Sequence, residues 1–482
     1  MAKFYITTAI DYVNAKPHIG HAIEKIQADV LARFHRQKGD EVWFLTGTDE
    51  HGAKIARAAQ AAGKDPKDFV DDGAGHFKDL KKALNLSWDD FIRTSSQKRH
   101  WPGAQKLWLK LFEAGDLYKK SYKGLYCVGH EAFITEKDLV DGKCRDHQTA
   151  PELIEEENWF FRLSKYSDKI KSVIESGELK IIPESRENEI LSLIRQGLED
   201  VSFSRPRKDL SWGIPVPNDP EHTMYVWCDA LTNYITAIGY GQEQNIEISK
   251  YRNFEYWWPA DLHIIGKDIL RFHTAIWPGM LLSAGLPLPK AIFVHGFITV
   301  EGQKMSKTIG NVIDPAELVK KYGTDPVRYY LLREIPAYED GDFSIAKFEE
   351  RYSADLVHGL GNLVARVLAL AKKSDIVEKE AFKKEIKQAK QNSEKLIVEF
   401  RFNDALAAIW QLIFIGDKYV DEKKPWMLKP ESVEFQEIIG SLLHLISEIG
   451  KLIEPFLPET SEKIEIQLSG KNPQILFPKI EN

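Results

Sequence analysis

Residues 3–10 place Phe4, Tyr5 and Ile6 ahead of two threonines, a run that predicts a buried strand. A loop follows, and Pro17 stands where a helix can begin, because the first turn has no use for its missing N–H. Ile19, Ile23, Ile26, Val30 and Phe34 then recur at spacings of three and four, the apolar face of a helix. Residues 42–45 predict a second strand, and strand, helix and strand in that order open a doubly wound sheet. A similar unit returns later, with strands at 262–265 and 291–294 and a helix at 269–280 between them. The stretch from about 115 to 203 has a different texture and separates the two halves. From about 344 onward the period is helical throughout. Leu442, Leu445, Ile446, Ile449, Leu452, Ile453 and Phe456 trace one face, as a helix bundle requires. There is no internal repeat, and no G-x-G-x-x-G turn that would indicate an ordinary dinucleotide site.

The expected fold is therefore α/β: a split doubly wound, Rossmann-like domain interrupted by an insertion and followed by an all-α bundle. Five segments are drawn: 1–114 and 204–290 as the two halves of the sheet, 115–203 as the insertion, 291–343 as a connecting region and 344–482 as the bundle. The length of 482 residues asks for several domains, and the 43% apolar content argues against disorder. No run approaches a membrane span; the densest apolar stretch, 405–415, is short and carries Gln411. The first residues show no cationic region followed by an apolar one, so export is not indicated. Three cysteines make no disulfide framework, which places the chain in a reducing cytoplasm. The net charge of -7 points away from nucleic acid, but it averages over domains and leaves room for one basic face.

Three clusters carry chemistry. Pro17-His18-Ile19-Gly20-His21 sits at the predicted strand-to-helix turn. Two imidazoles three apart project from one side of a helix start, where backbone N–H groups already favour anions. Gly20 leaves space for a flat base or ribose to approach the backbone. A pair of surface or capping histidines would look the same. The second cluster is Lys304-Met305-Ser306-Lys307-Thr308, with glycines on both sides. Its two lysines could clamp a polyphosphate, and a merely solvated loop would also read this way. The third is Cys127-x2-His130 with Cys144-x2-His147, whose spacing suits a tetrahedral zinc knuckle, or a decayed knuckle held by packing.

H-I-G-H near the start and K-M-S-K-T much later together resemble the signature pair of class I aminoacyl-tRNA synthetases. The resemblance to the methionyl-tRNA synthetases runs nearly end to end. It includes Ile10-Asp11-Tyr12-Val13-Asn14, Gly47-Thr48-Asp49-Glu50-His51-Gly52, Tyr225-Val226-Trp227-Cys228-Asp229-Ala230-Leu231 with Tyr234, and Ile265-Gly266-Lys267-Asp268 through His273 and Trp277. The resemblance implies ligation of methionine to tRNA(Met) with ATP and Mg2+. His18, His21, Lys304 and Lys307 would be catalytic, with Gly20, Asp268 and Ser306 completing the ATP site. Ile10, Tyr12, Trp227, Ala230, Leu231 and Tyr234 would wall the methionine pocket, with His273 as a polar edge and Asp49 on the ammonium. A thioether is apolar with only a weak acceptor, so shape and aromatic contact must do most of the recognition. Asn362, Arg366 and Trp426 would read the anticodon.

The family often has a cysteine where this chain has His130, a departure that bears on zinc. A cysteinyl enzyme of the same class and a small-molecule nucleotidyltransferase are the competing enzyme readings. A catalytically silent RNA-binding relative is the non-enzyme one, but it should have lost a signature histidine or lysine. The insertion is too short for the editing domain of the isoleucyl, leucyl and valyl enzymes. The chain ends directly after the helical part, so a monomer is expected.

Overall fold

The computed structural model describes residues 1–130, 132–134, 136–146, 148–242, 253–305, 310–372, 379, 381–470 and 474–480. His147, Ser306, Lys307 and Thr308 lie outside them. The chain forms two compact units: Met1–Pro17, Gly39–Asp79 and Trp88–Val294 in the first, and His18–Lys38, Leu80–Ser87 and His295–Asn482 in the second.

The first unit is built on a parallel sheet of seven strands among the described residues. Its order is Lys180–Ile182, Ala291–His295, Leu262–Gly266, Lys3–Thr8, Glu41–Asp49 and Asp11–Tyr12, with Asp90–Arg93 also paired to Glu41–Asp49. Lys3–Thr8 lies between Leu262–Gly266 and Glu41–Asp49, both parallel to it, with Ile6 opposite Leu262 and Phe44. That central place explains why Tyr5 and Ile6 are fully buried. Lys180–Ile182 falls inside the segment read as an insertion, yet it forms the end strand of the sheet, paired with Ala291–His295. Three residues are too few to show an alternation that sequence could reveal. The rest of that segment comprises a long antiparallel ribbon, Leu117–Cys127 against Glu152–Phe161, carrying short strands at its tip, and the helices Ser167–Glu175 and Glu184–Arg195.

The helix read at 269–280 is not one helix. Lys267–Ile269 is a 3-10 turn, Phe272–Ile276 is π-helical, and only Trp277–Ser283 is α-helical. Pro278 has no N–H to give to the preceding turn, and the Trp277 N–H bonds the Phe272 carbonyl five residues back. A sequence that suits a helix does not by itself reveal a widened turn.

The second unit contains the helix Ile19–Gln37 and the C-terminal helices. Its register is fixed by a buried cation. Arg328, without exposed surface, donates to the carbonyls of Leu84, Pro455 and Phe456 at 2.7–3.0 Å and meets Asp29 Oδ2 at 2.8 Å. Burial alone would raise the Asp29 pKa, but Arg328 and Arg33 hold it below the ordinary carboxylate value. Asp29 also accepts from the Ser87 backbone N–H and hydroxyl at 2.6 and 2.7 Å. The helix that starts at the two histidines is thus pinned at mid-length.

Ile345–Arg351, Tyr352–Gly361 and Asn362–Ala371 continue into one another, a helical run of 27 residues that is long and apolar enough to cross a membrane by length and composition alone. This corrects the sequence reading, which found nothing of that size. The apolar positions alternate with polar ones, so the length emerges only when the three pieces join. Leu356, Leu360, Leu363 and Val367 from this run are buried within the unit. Phe402–Lys423 and Val433–Ile453 are the other long helices here, and Phe456 lies just past the end of the second because Pro455 follows it.

Candidate active site

In the second unit, His18 is the N-cap of the helix Ile19–Gln37. Its Nδ1 accepts the Gly20 N–H at 3.1 Å, and His21 Nδ1 accepts the His18 N–H at 3.1 Å. The two imidazoles therefore satisfy each other's helix start in the way a serine and a glutamate usually do. Both Nδ1 atoms accept, so each neutral ring carries its proton on Nε2. The ring centroids lie 3.8 Å apart. Burial, with the Lys25 charge behind it, lowers the His18 pKa to about 4, and burial with the neighbouring His18 takes His21 well below its ordinary value. The histidines do cap the helix, and capping is what leaves Nε2–H as the donor.

A Cβ on Gly20 would stand 2.9 Å from the His18 ring and 3.6 Å from the Met305 methyl, so the lysine loop already covers this glycine. Ile19 N–H donates to the Ile313 carbonyl at 3.1 Å, tying the end of the same loop to the helix start. The structure thus brings the two sequence clusters together within one unit. Lys304 is exposed on the hairpin strand Gln303–Lys304.

In the first unit, Trp227 stacks on Phe272 with centroids 3.8 Å apart and planes 10° apart, and His273 meets the Trp227 ring edge-on at 6.2 Å. Tyr234 donates its hydroxyl to His273 Nε2 at 2.7 Å, and His273 Nδ1–H gives its proton to the Ile269 carbonyl at 3.1 Å. A carbonyl only accepts, so Nδ1 carries a proton, and the two bonds together fix the orientation of the ring. Tyr5 in turn donates to the Tyr234 carbonyl at 2.6 Å. Ala230, Leu231, Tyr234 and His273 are buried, whereas Ile10, Tyr12 and Trp227 are half-buried. Asp49 is buried at the end of its strand, opposite Tyr12 in register. Asp268 is exposed in the 3-10 turn of the same unit. Sequence reasoning missed Phe272, though it lies beside His273 in a run already singled out.

The family described as class I tRNA synthetases (M) matches residues 4–148 and 134–368, and the anticodon-binding domain of tRNA ligases matches 380–481. The chain is 46% identical to the methionine–tRNA ligase of Caldanaerobacter subterraneus subsp. tengcongensis over 480 residues, 96% of this chain and 74% of the relative. It is 43% identical to the Brucella suis enzyme of the same name over 479 residues, 96% of this chain and 91% of that one. The solved Mycobacterium tuberculosis methionyl-tRNA synthetase in complex with methionyl-adenylate superposes with a TM-score of 0.91 at 39% identity, covering 98% of this chain and 95% of that one. The chain belongs to the class I methionyl-tRNA synthetases.

Two further regions of this synthetase bear on the expected ligands. Cys127, His130 and Cys144 place their ligand atoms within 4.8 Å of one another, with both cysteines buried. His130 Nδ1 lies 3.5 Å from Cys144 Sγ, while its Nε2 lies 3.0 Å from Asp146 Oδ2. One nitrogen towards the thiols and the other on a carboxylate is the arrangement that orients a metal-binding histidine. The donor set fits zinc, with His130 in the place where the family often has a cysteine. In the second unit, Asn362 is exposed at the start of Asn362–Ala371, and the Arg366 guanidinium stands 5.8 Å from the Trp426 ring. Arg366 also pairs with Asp421 at 2.7 Å, and Trp426 remains 50% exposed in the short turn Pro425–Met427. A tryptophan half in water beside a cation is not packed as core.

Proposed function

We propose that the protein ligates L-methionine to tRNA(Met) in two steps, and that the Trp227–Phe272–His273–Tyr234 cluster carries the specificity. The observation supporting this most strongly is the His273 ring held between Tyr234 and the Ile269 carbonyl beside two stacked aromatic rings. Such a wall is apolar and polarisable with one weakly polar edge, which is what a thioether can use. Ile10, Tyr12, Ala230 and Leu231 complete it, and Asp49 takes the ammonium.

In the first step the methionine carboxylate attacks the α-phosphorus of ATP, the bond to the bridging oxygen breaks, and pyrophosphate leaves with its Mg2+. His18 and His21 donate Nε2–H to phosphoryl oxygens as negative charge builds. Because these rings are neutral, they stabilise that charge as fixed N–H donors. Lys304 and Lys307 neutralise the departing pyrophosphate, with Gly20, Asp268 and Ser306 shaping the nucleotide site. In the second step a hydroxyl of the tRNA's terminal ribose attacks the methionyl carbonyl and AMP leaves. Positioning and charge stabilisation suffice, with no covalent enzyme nucleophile.

Cys127, His130, Cys144 and His147 would hold one zinc ion, whose part is to fold the ribbon tip. Asn362, Arg366 and Trp426 would read the anticodon: the indole stacks on an unstacked base while the polar pair bonds base edges. The segments 1–114 and 204–290 act as the catalytic halves, 115–203 as the insertion, 291–343 as the lysine-loop connector and 344–482 as the anticodon domain. The enzyme works in the cytoplasm. ATP–pyrophosphate exchange measured with each of the twenty amino acids tests the assignment. Methionine should drive exchange, and faster exchange with cysteine or isoleucine would overturn it.

A further inference from the structure

Asp229 has no exposed surface, yet its carboxylate touches two imidazoles at once. His51 Nδ1 lies 2.6 Å from Oδ2 and His100 Nε2 lies 2.7 Å from Oδ1, and both rings are themselves buried. On the far side His100 Nδ1 meets the Thr236 hydroxyl at 2.8 Å. A carboxylate taken out of water is costly unless donors surround it, so each imidazole must direct N–H at Asp229. Burial raises the carboxyl pKa, and the two imidazoles more than reverse that, so the group stays ionised.

What matters is where the three residues sit in the chain. His51 follows Asp49 by two residues, in the turn closed by Gly52 at φ 103°, a conformation that suits glycine. Tyr12 donates its hydroxyl to the His51 carbonyl at 2.9 Å. Asp229 lies on Val226–Leu231, the short helix that also carries Trp227, Ala230 and Leu231. The contact therefore joins the segment bearing the ammonium acceptor to the segment bearing the thioether wall. Six residues make too short a helix to hold its own position, so the tie must come from tertiary contacts.

We propose that Asp229 is a positioning residue, which through His51 and His100 sets the distance between Asp49 and the Trp227–Leu231 wall and so tunes methionine affinity. The proposal rests on the methionine-pocket reading above. Charge-assisted bonds of this kind are strong and directional, and a displacement of the wall would be felt in binding before chemistry. Asp229→Asn keeps the shape but offers one acceptor and one donor, so one imidazole must move its ring proton.

The test is steady-state ATP–pyrophosphate exchange on the full chain, with the KM for methionine, the KM for ATP and kcat determined separately and thermal melting run beside them. Asp229→Asn should raise the methionine KM about tenfold or more while the ATP KM and kcat stay within about threefold. His100→Leu and His51→Leu should act alike. His100→Gln and His51→Asn, which each return an N–H to the same side, should recover most of the loss. These pairs also decide the matter if Asp229→Asn does not fold. An unchanged methionine KM, or a fall of all parameters and melting temperature together with no rescue, would overturn the proposal. Trp227→Ala serves as the control. If it raises the methionine KM and the Asp229 and histidine variants do not, this inference alone falls. If it too has no effect, the pocket assignment falls with it.

Discussion

The histidine pair and the proposed methionine pocket are built in opposite ways. His18 and His21 are held by hydrogen bonds to backbone groups no more than three residues away, within the first turn of one helix. The pocket is held by contacts between residues tens or hundreds of positions apart, such as Tyr5 to Tyr234 and Tyr234 to His273. The first needs only the helix start; the second exists only when the sheet and its flanking segments are in place. In the function proposed above, the local constellation is assigned charge stabilisation, where donor direction matters most. The distributed one is assigned recognition, where shape matters and many side chains can share the cost.

Removing a donor from the local site should produce the largest effect. His21→Ala should slow adenylate formation by about two to three orders of magnitude, the usual loss when one charge-stabilising donor goes. Lys307→Ala should act similarly, and rapid-quench measurement of adenylate reads both. A change within tenfold would remove these residues from the chemistry. Next is Trp426→Ala, which should weaken aminoacylation by about one to two powers of ten, since stacking on a base is worth about 1–3 kcal/mol. Methionine-dependent exchange, which uses no tRNA, should be untouched. Loss of exchange and melting temperature together would mean that Trp426 supports the fold instead.

How much could be read in the sequence follows the same division. The strands at 3–10 and 42–45, the helix beginning at Ile19 and the histidine pair all announce themselves by period or by contiguous motif. Phe272 did not, because nothing in its neighbourhood says that a π-helical turn will carry it onto Trp227. Lys180–Ile182 did not, because a three-residue strand has no period. His51, Asp229 and His100 come from three separate runs, and only the fold shows that one carboxylate serves both rings. The same holds for Met305 over Gly20: two motifs were legible, their contact was not.

Smaller effects sharpen the contrast. Protein purified without chelator should carry one zinc ion per chain by elemental analysis, and His130→Ala should lower metal content and melting temperature more than adenylation rate. Metal content near zero would leave Cys127 and Cys144 as packing residues. The smallest expected change is in the pH profile. His18 is neutral in the fold down to about pH 4, so the rate of adenylate formation should not fall between pH 8 and 6 through this pair. The sign for stability is the same as for a paired carboxylate, since here too the folded-state pKa lies below the unfolded one and stability is lost as pH falls. Unfolded imidazoles take up protons below about pH 6.5 while these buried ones do not, so acidification towards pH 4 favours unfolding. Denaturant titrations at pH 7 and 5 should show His18→Gln losing less stability on acidification than the unaltered chain. An equal loss would mean that the ring is not held neutral.

The most direct test of the division between chemistry and recognition is a pre-steady-state comparison of His21→Ala with Trp227→Ala, resolving methionine dissociation from adenylate formation. His21→Ala should lower the rate of adenylate formation and leave methionine affinity within about twofold. Trp227→Ala should weaken methionine binding by about tenfold or more and leave the rate at saturation within a few-fold. If His21→Ala instead abolished methionine binding with chemistry intact, or if both variants lost binding and rate in the same proportion, the two regions would not have the separate tasks assigned to them here.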